Sequence, residues 1–187
     1  TFPTATSIST PNYTLKINGC DHTHFSKMTL SRNGNDDYAR VIDIGNNSDS
    51  VVFRNCVIKN TRNSGYNNTT TLVYSPYTAN GSDSLTFIAN RFENGQNAIF
   101  RDNNFNSNLL VLENNTFYNQ YSITLLLNSQ NRLKMYNNTL INNLVNAGNN
   151  GLSITNGIGN FEINRNKFLG FILDAITVNN SSFSGGN

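Results

Sequence analysis

The sequence predicts an all-β fold, a β-solenoid with three strands per coil and about six coils. Three observations predict it. A phrase of two alternating apolar residues, an Asn-containing corner and a further apolar residue recurs at 51–58, 85–92, 110–117, 133–140 and 161–168. Between the phrases lies a further short apolar run, at 41–44, 71–74, 98–100, 123–127, 152–154 and 175–178. From one such run to the next the chain advances by roughly 23 to 30 residues, the length of a three-sided coil with loops of variable size.

Each part of the phrase has a physical reason. Its first and third residues (Val51 and Phe53, Leu110 and Leu112, Leu133 and Met135, Phe161 and Ile163) alternate with polar or mixed ones, as a strand with one inward face requires. Asn tolerates the left-handed backbone better than other non-Gly residues, and its amide stacks on another Asn one coil away. Asn55, Asn90, Asn115, Asn138 and Asn166 are therefore expected to form a corner ladder carrying that backbone. Ile58, Phe92, Phe117, Leu140 and Phe168 follow as inward anchors of a second short strand. An incomplete leading coil is expected over 13–17 and 25–30. With parallel strands about 4.8 Å apart, the stack would stand about 25 to 30 Å tall.

Composition agrees with a thin core and wide polar walls. The 187 residues are 37% apolar, with twelve Phe and eight Tyr, and Asn makes up roughly one residue in five. The repeat runs through nearly all of 1–187, which reads as a single domain. Its start, with neither Met nor a basic-then-apolar leader, reads as a mature or excised segment, open to belonging to a longer protein. A net charge of +2 with scattered Lys and Arg gives no support to nucleic-acid binding, and no apolar run approaches a membrane span. Cys20 and Cys56 fit neither a disulfide framework nor a metal knuckle; a free, buried Cys56 at the corner is the preferred reading.

The Asn-corner phrase resembles that of the right-handed parallel β-helix repeat proteins, the pectin-lyase-like group. The stretch 17–30 followed by 39–44 is similar to the opening coils of its secreted bacterial members. The resemblance implies a right-handed parallel β-helix, an extracellular or cell-surface location and work on or beside carbohydrate. It embraces lyases, hydrolases, tailspikes and adhesins, so activity has to be argued from a site.

An enzyme on this scaffold needs paired carboxylates, or a base beside carboxylates that hold a cation. The segments 31–40 and 60–70 join corresponding strands of successive coils and should lie side by side. Asp36, Asp37, Arg40 and Asp43, with Arg62 and Tyr66 from the second segment, are accordingly the candidate ligand-binding residues. The sharp reading is an acidic site for a sugar hydroxyl or Ca²⁺; the bland one is loop Asp capping local turns. No other cofactor or metal is expected. Asp21, His22 and His24 read as structural rather than as a metal half-site, and Arg101-Asp102 as a local ion pair or turn contact. Glu113 is expected on a soluble face, in file with Arg54 two coils away. Lys59, Glu93, Tyr118, Ile141 and Leu169 change from charged to apolar along one outward file. The preferred function is a non-enzymatic structural or recognition module, adhesin-like and associated with polysaccharide or cell-surface glycan. The alternative is a polysaccharide lyase or glycoside hydrolase, or its scaffold. Solenoid ends expose strand edges, so flanking domains or self-assembly through the ends are further expectations.

Overall fold

The computed structural model describes residues 12–32, 39–45, 48–61, 70–75, 84–102, 109–144 and 149–183. The first coil holds β1 (Asn12–Asn18), β2 (His24–Ser26) and β3 (Thr29–Ser31), and the second β4 (Ala39–Gly45), β5 (Val51–Arg54) and β6 (Val57–Lys59). The third holds β7 (Thr71–Ser75), β8 (Ser84–Ile88) and β9 (Arg91–Glu93), and the fourth β10 (Asn97–Asp102), β11 (Leu109–Glu113) and β12 (Thr116–Tyr118). The fifth holds β13 (Ile123–Asn128), β14 (Arg132–Tyr136) and β15 (Thr139–Ile141). The sixth holds β16 (Asn150–Thr155), β17 (Ile158–Gly159), β18 (Phe161–Asn164) and β19 (Lys167–Leu169), after which β20 (Ile176–Asn179) and β21 (Ser182–Phe183) begin another.

These strands stack into three parallel sheets. Sheet one runs β1-β4-β7-β10-β13-β16-β20, sheet two β2-β5-β8-β11-β14-β18 and sheet three β3-β6-β9-β12-β15-β19; β17 pairs with β21. The architecture is an all-β, three-strand parallel β-helix. The leading coil, expected to be incomplete, supplies a strand to every sheet, because Phe25-Ser-Lys-Met-Thr-Leu30 is itself a copy of the phrase.

In-register pairing turns the repeat into files of like residues. Phe25, Phe53 and Phe87 stack with centroids 4.7 and 5.4 Å apart and nearly parallel rings, as do Phe92 and Phe117 at 4.7 Å. Each such contact adds about 0.5–1.5 kcal/mol to the burial of the rings. In sheet one, Val41 and Ile42 are both fully buried, as are Leu72 and Val73, and Ala98 and Ile99. Strict alternation therefore slips by one place in each coil, and the residues flanking the buried pair come to the same outer side.

The corner between sheets two and three is built differently from the sequence expectation. Positive φ falls on Lys27, Asn55, Ala89, Asn114, Asn137 and Arg165, at 54–55° in every coil. After Lys27 comes the exposed Met28, but the residue after each of the other five turns inward and makes the ladder: Cys56, Asn90, Asn115, Asn138 and Asn166. Asn55 thus belongs to the left-handed file and not to the ladder. The two jobs are incompatible in one residue, since the ladder needs its carboxamide aimed into the stack while the left-handed residue is turned outward. Asn90 Nδ2 donates to the Phe53 carbonyl at 2.9 Å and to Asn115 Oδ1 at 3.1 Å, and Asn115 Oδ1 also accepts the Asn90 N–H at 2.9 Å. The same set recurs from Asn115 to Asn138 and from Asn138 to Asn166. Cys56 closes the file: its N–H donates to Asn90 Oδ1 at 2.9 Å, and its thiol lies 3.7 Å from the Phe25 carbonyl, where an Asn would donate. Cys56 is free and buried, as expected, while Cys20 is free and exposed.

Two buried arginines hold the stack elsewhere. Arg101 is fully buried and donates to the Leu109 carbonyl at 3.1 Å and to Gln130 Oε1 at 3.4 Å, tying together the two ends of the segment 103–108. It turns into the core, so the local pairing with Asp102 expected from sequence is not its principal role. Arg32, also buried, donates its backbone N–H to the Lys59 carbonyl.

Asn115→Ala leaves the Phe87 carbonyl and the Asn90 N–H without their ladder partner and removes one of the bonds of the Asn90 carboxamide, at about 1–3 kcal/mol for each buried group left unpaired. The expected loss is about 3 kcal/mol or more in urea unfolding, and an unchanged midpoint contradicts the ladder's role. Cys56→Asn extends the ladder by one coil and is expected to raise stability by about 1 kcal/mol.

Candidate functional site

The corner between sheets two and three always takes two residues, whereas the long segments all adjoin sheet one. Segments 33–38, 62–69 and 145–148 lead into β4, β7 and β16, and 76–83 and 103–108 leave β7 and β10. Because β3 pairs with β6 and β4 with β7, the strands that flank 33–38 lie beside those that flank 62–69, while the two segments themselves lie outside the described residues. Of the candidate residues, Asp36, Asp37, Arg62 and Tyr66 lie outside the described residues. Arg40 and Asp43 are described and meet.

They flank the buried pair Val41–Ile42, so the slip in alternation brings both to the outer side, where the Arg40 guanidinium forms an ion pair with the Asp43 carboxylate. Tyr74, in register with Asp43, lays its ring against the guanidinium, with Cζ 3.7 Å from the ring centroid. A desolvated contact of this kind contributes about 2 kcal/mol. Tyr74 meets Phe100 edge-on at 5.2 Å, and the file continues to Leu126 and Ser153. Arg40 is 4% exposed and Asp43 5%. A buried carboxylate held by its own guanidinium is a structural clamp and a poor general acid or base, whose proton must come and go.

Tyr74 shows the electrostatic consequence. Burial pushes its hydroxyl above the ordinary value of 10.0; Arg40 opposes the shift, while Asp102 and Asp43 add to it. The folded state therefore keeps a proton that the unfolded chain loses first, and stability falls as pH rises from about 10 through the folded value.

A second surface lies on the outer side of sheet two. The file Arg54–Ile88–Glu113–Tyr136–Asn164 is in register, and Ile88 separates Arg54 from Glu113, as the spacing predicted. Beside its upper half run the left-handed residues Asn137 and Arg165. Glu113, Tyr136, Asn137, Asn164 and Arg165 line an open groove of about 680 Å³, within the size range of small-ligand sites. The Tyr136 hydroxyl donates to the Glu162 carboxylate, which Lys134 Nζ approaches at 3.2 Å, so the ring is anchored by its hydroxyl. Glu113 Oε1 accepts from Asn114 Nδ2 at 3.3 Å. Among the described residues, the side chains of Asn137, Asn164 and Arg165 are left facing solvent with no protein partner.

Sequence reasoning placed Glu113 on a soluble face and missed this groove. Assigning one corner residue both the ladder and the left-handed turn hid the file Asn114–Asn137–Arg165 that stands beside Glu113–Tyr136–Asn164. A two-column corner, legible in the repeated Asn-Asn pairs, would have placed all five residues together.

Around Asp21, the carboxylate accepts the Asp49 N–H at 3.1 Å, the structural use expected of this stretch. No cluster of three or more His, Cys, Asp or Glu suited to a metal occurs among the described residues. No protein-family model matches the chain, and no curated protein and no solved structure matches it. The solenoid stands on its own geometry.

Two measurements check the clamp. Asp43→Ala strands a buried guanidinium and is expected to cost about 3–5 kcal/mol, whereas Arg40→Met combined with Asp43→Leu recovers most of it. Equal losses in the two variants contradict a paired, buried clamp. Tyr74→Phe is expected to flatten the alkaline loss of stability above pH 10, and an unaltered alkaline limb contradicts the shift in Tyr74.

Proposed function

We propose that this chain is a non-enzymatic recognition module that works outside the cell or at its surface. It holds a hydroxyl-rich ligand, a carbohydrate, in the groove on the outer side of sheet two. The single observation that carries this is the lining: a fixed aromatic face at Tyr136 surrounded by a guanidinium, a carboxylate and two carboxamides. Sugar hydroxyls both donate and accept, and these side chains supply both senses at one place. The apolar faces of a sugar ring suit the flat face of Tyr136. Two carboxylates of the kind that acid–base chemistry needs are already committed, Asp43 to Arg40 and Glu162 to Lys134 and Tyr136. Rigid sheet, rather than loop, holds the groove, which favours selective binding at low ordering cost. The surface location rests on the Asn-rich, weakly charged composition and on the resemblance to secreted β-helix proteins.

The test is a panel of neutral and uronate-containing polysaccharides, with retardation in affinity gels read beside release of reducing ends and unsaturated product. At least one neutral glycan is expected to retard the protein without turnover. Tyr136→Ala and Arg165→Ala should each weaken binding about tenfold, the equivalent of roughly 1.4 kcal/mol. Turnover of any member, binding indifferent to both substitutions, or no binding across the panel would each overturn the reading.

A further inference from the structure

We propose that the ligand is a linear, neutral, β-linked polysaccharide lying along the solenoid axis and read by five successive coils, an inference that rests on the groove reading above. The groove is the upper part of a longer track. Its outward file continues in register from Tyr136 and Glu113 to Ile88 and Arg54. Beside it, at the corner, runs the left-handed file that includes Ala89, Asn137 and Arg165. Each coil therefore offers one rung of two neighbouring outward residues. Because the corner takes two residues in every coil, no insertion interrupts the track.

The rungs alternate in character. Ile88 with Ala89 is apolar and Tyr136 is aromatic, whereas the rungs at Arg54, at Glu113 and at Asn164 with Arg165 are polar. Parallel strands lie about 4.8 Å apart, so the two apolar platforms stand roughly 10 Å from one another. In an extended, two-fold β-linked glycan, one sugar residue advances by close to the height of one coil, and every second residue repeats the orientation of its ring. A chain laid along the track sets like ring faces on Ile88 and Tyr136 and turns hydroxyls to the polar rungs between. Ala89 is exposed and ends at its Cβ, which leaves the Ile88 platform uncovered.

The polar rungs select a neutral chain. Arg54 is exposed and, among the described residues, its guanidinium makes no hydrogen bond or ion pair, so it is available three coils from Tyr136. Guanidinium groups only donate and the Glu113 carboxylate only accepts, and hydroxyls satisfy both. A polyuronate would pass its own carboxylates across Glu113 at the middle of the track, a like-charge contact that opposes binding. Arg54, Ile88 and Glu113 stand on coils with a paired coil on each side, so the extension does not depend on what adjoins either end of the stack.

Calorimetric titration of the whole chain with cello- and manno-oligosaccharides of two to six residues tests this, with malto-oligosaccharides, whose chain curves, alongside. Affinity for at least one of the extended series is expected to rise tenfold or more between two and five residues and then level off, with no such rise in the malto series. Arg54→Ala, at an exposed position, and Ile88→Asn, in a file that already carries Asn164, should each cut the advantage of five residues over two to threefold or less, with an unchanged thermal midpoint. Equal affinity for two and five residues, an equal rise in the malto series, or an advantage that survives both substitutions would overturn the axial track and leave the groove reading standing. Pentasaccharide binding indifferent to Tyr136→Ala would overturn the groove reading itself, and no binding by any oligosaccharide would overturn both.

Discussion

A left-handed residue followed by a buried ladder residue turns the chain through the same two positions in each coil, and everything built above that corner inherits its register. A slip of one residue in parallel pairing would move the inward file of Phe25, Phe53 and Phe87 to solvent. The Asn carboxamides oppose such a slip directly. Each of Asn90, Asn115 and Asn138 accepts a backbone N–H in one neighbouring coil, donates to a carbonyl in that coil and donates to the next Asn in the other direction. The buried amide is fully partnered, which makes the corner stabilising as well as specific.

Fixing one corner leaves the other two free to vary. Segments of different length enter and leave sheet one without disturbing the stack, because the register is already set across the cross-section. Arg101 illustrates how such a segment is anchored: a guanidinium taken into the core binds the carbonyl at the far end of the intervening chain. Arg40, Asp43 and Tyr74 do comparable work on the outer side of sheet one, where an ion pair and a ring close over a slipped strand. The groove needs none of this variability. Its five residues stand on the constant corner and the strands next to it, so it is the more rigid of the two surfaces.

Much of this was legible in the sequence. The five-fold phrase gave the strands of sheets two and three, the intervening apolar runs gave sheet one, and the file from Lys59 to Leu169 pairs as the spacing required. The corner was read one column short, because Asn occupies both of its positions in two coils and the types Lys27, Ala89 and Arg165 do not advertise a left-handed backbone. Only stacking neighbours force φ positive at those residues. The meeting of Arg40 with Asp43 was visible as proximity but not as burial. Spacing says which residues share a wall, whereas the consecutive burial of Val41 and Ile42, which tilts both side chains together, arises from packing in three dimensions.

Side-chain amide hydrogen exchange, followed by NMR on the four ladder asparagines, tests the corner most directly. The carboxamide protons of Asn90, Asn115 and Asn138 are expected to exchange as slowly as the core amides of β11 and β14, with the less buried Asn166 faster. Exchange of all four at the rate of solvent-exposed Asn137 would contradict the ladder, and with it the register that assembles the groove.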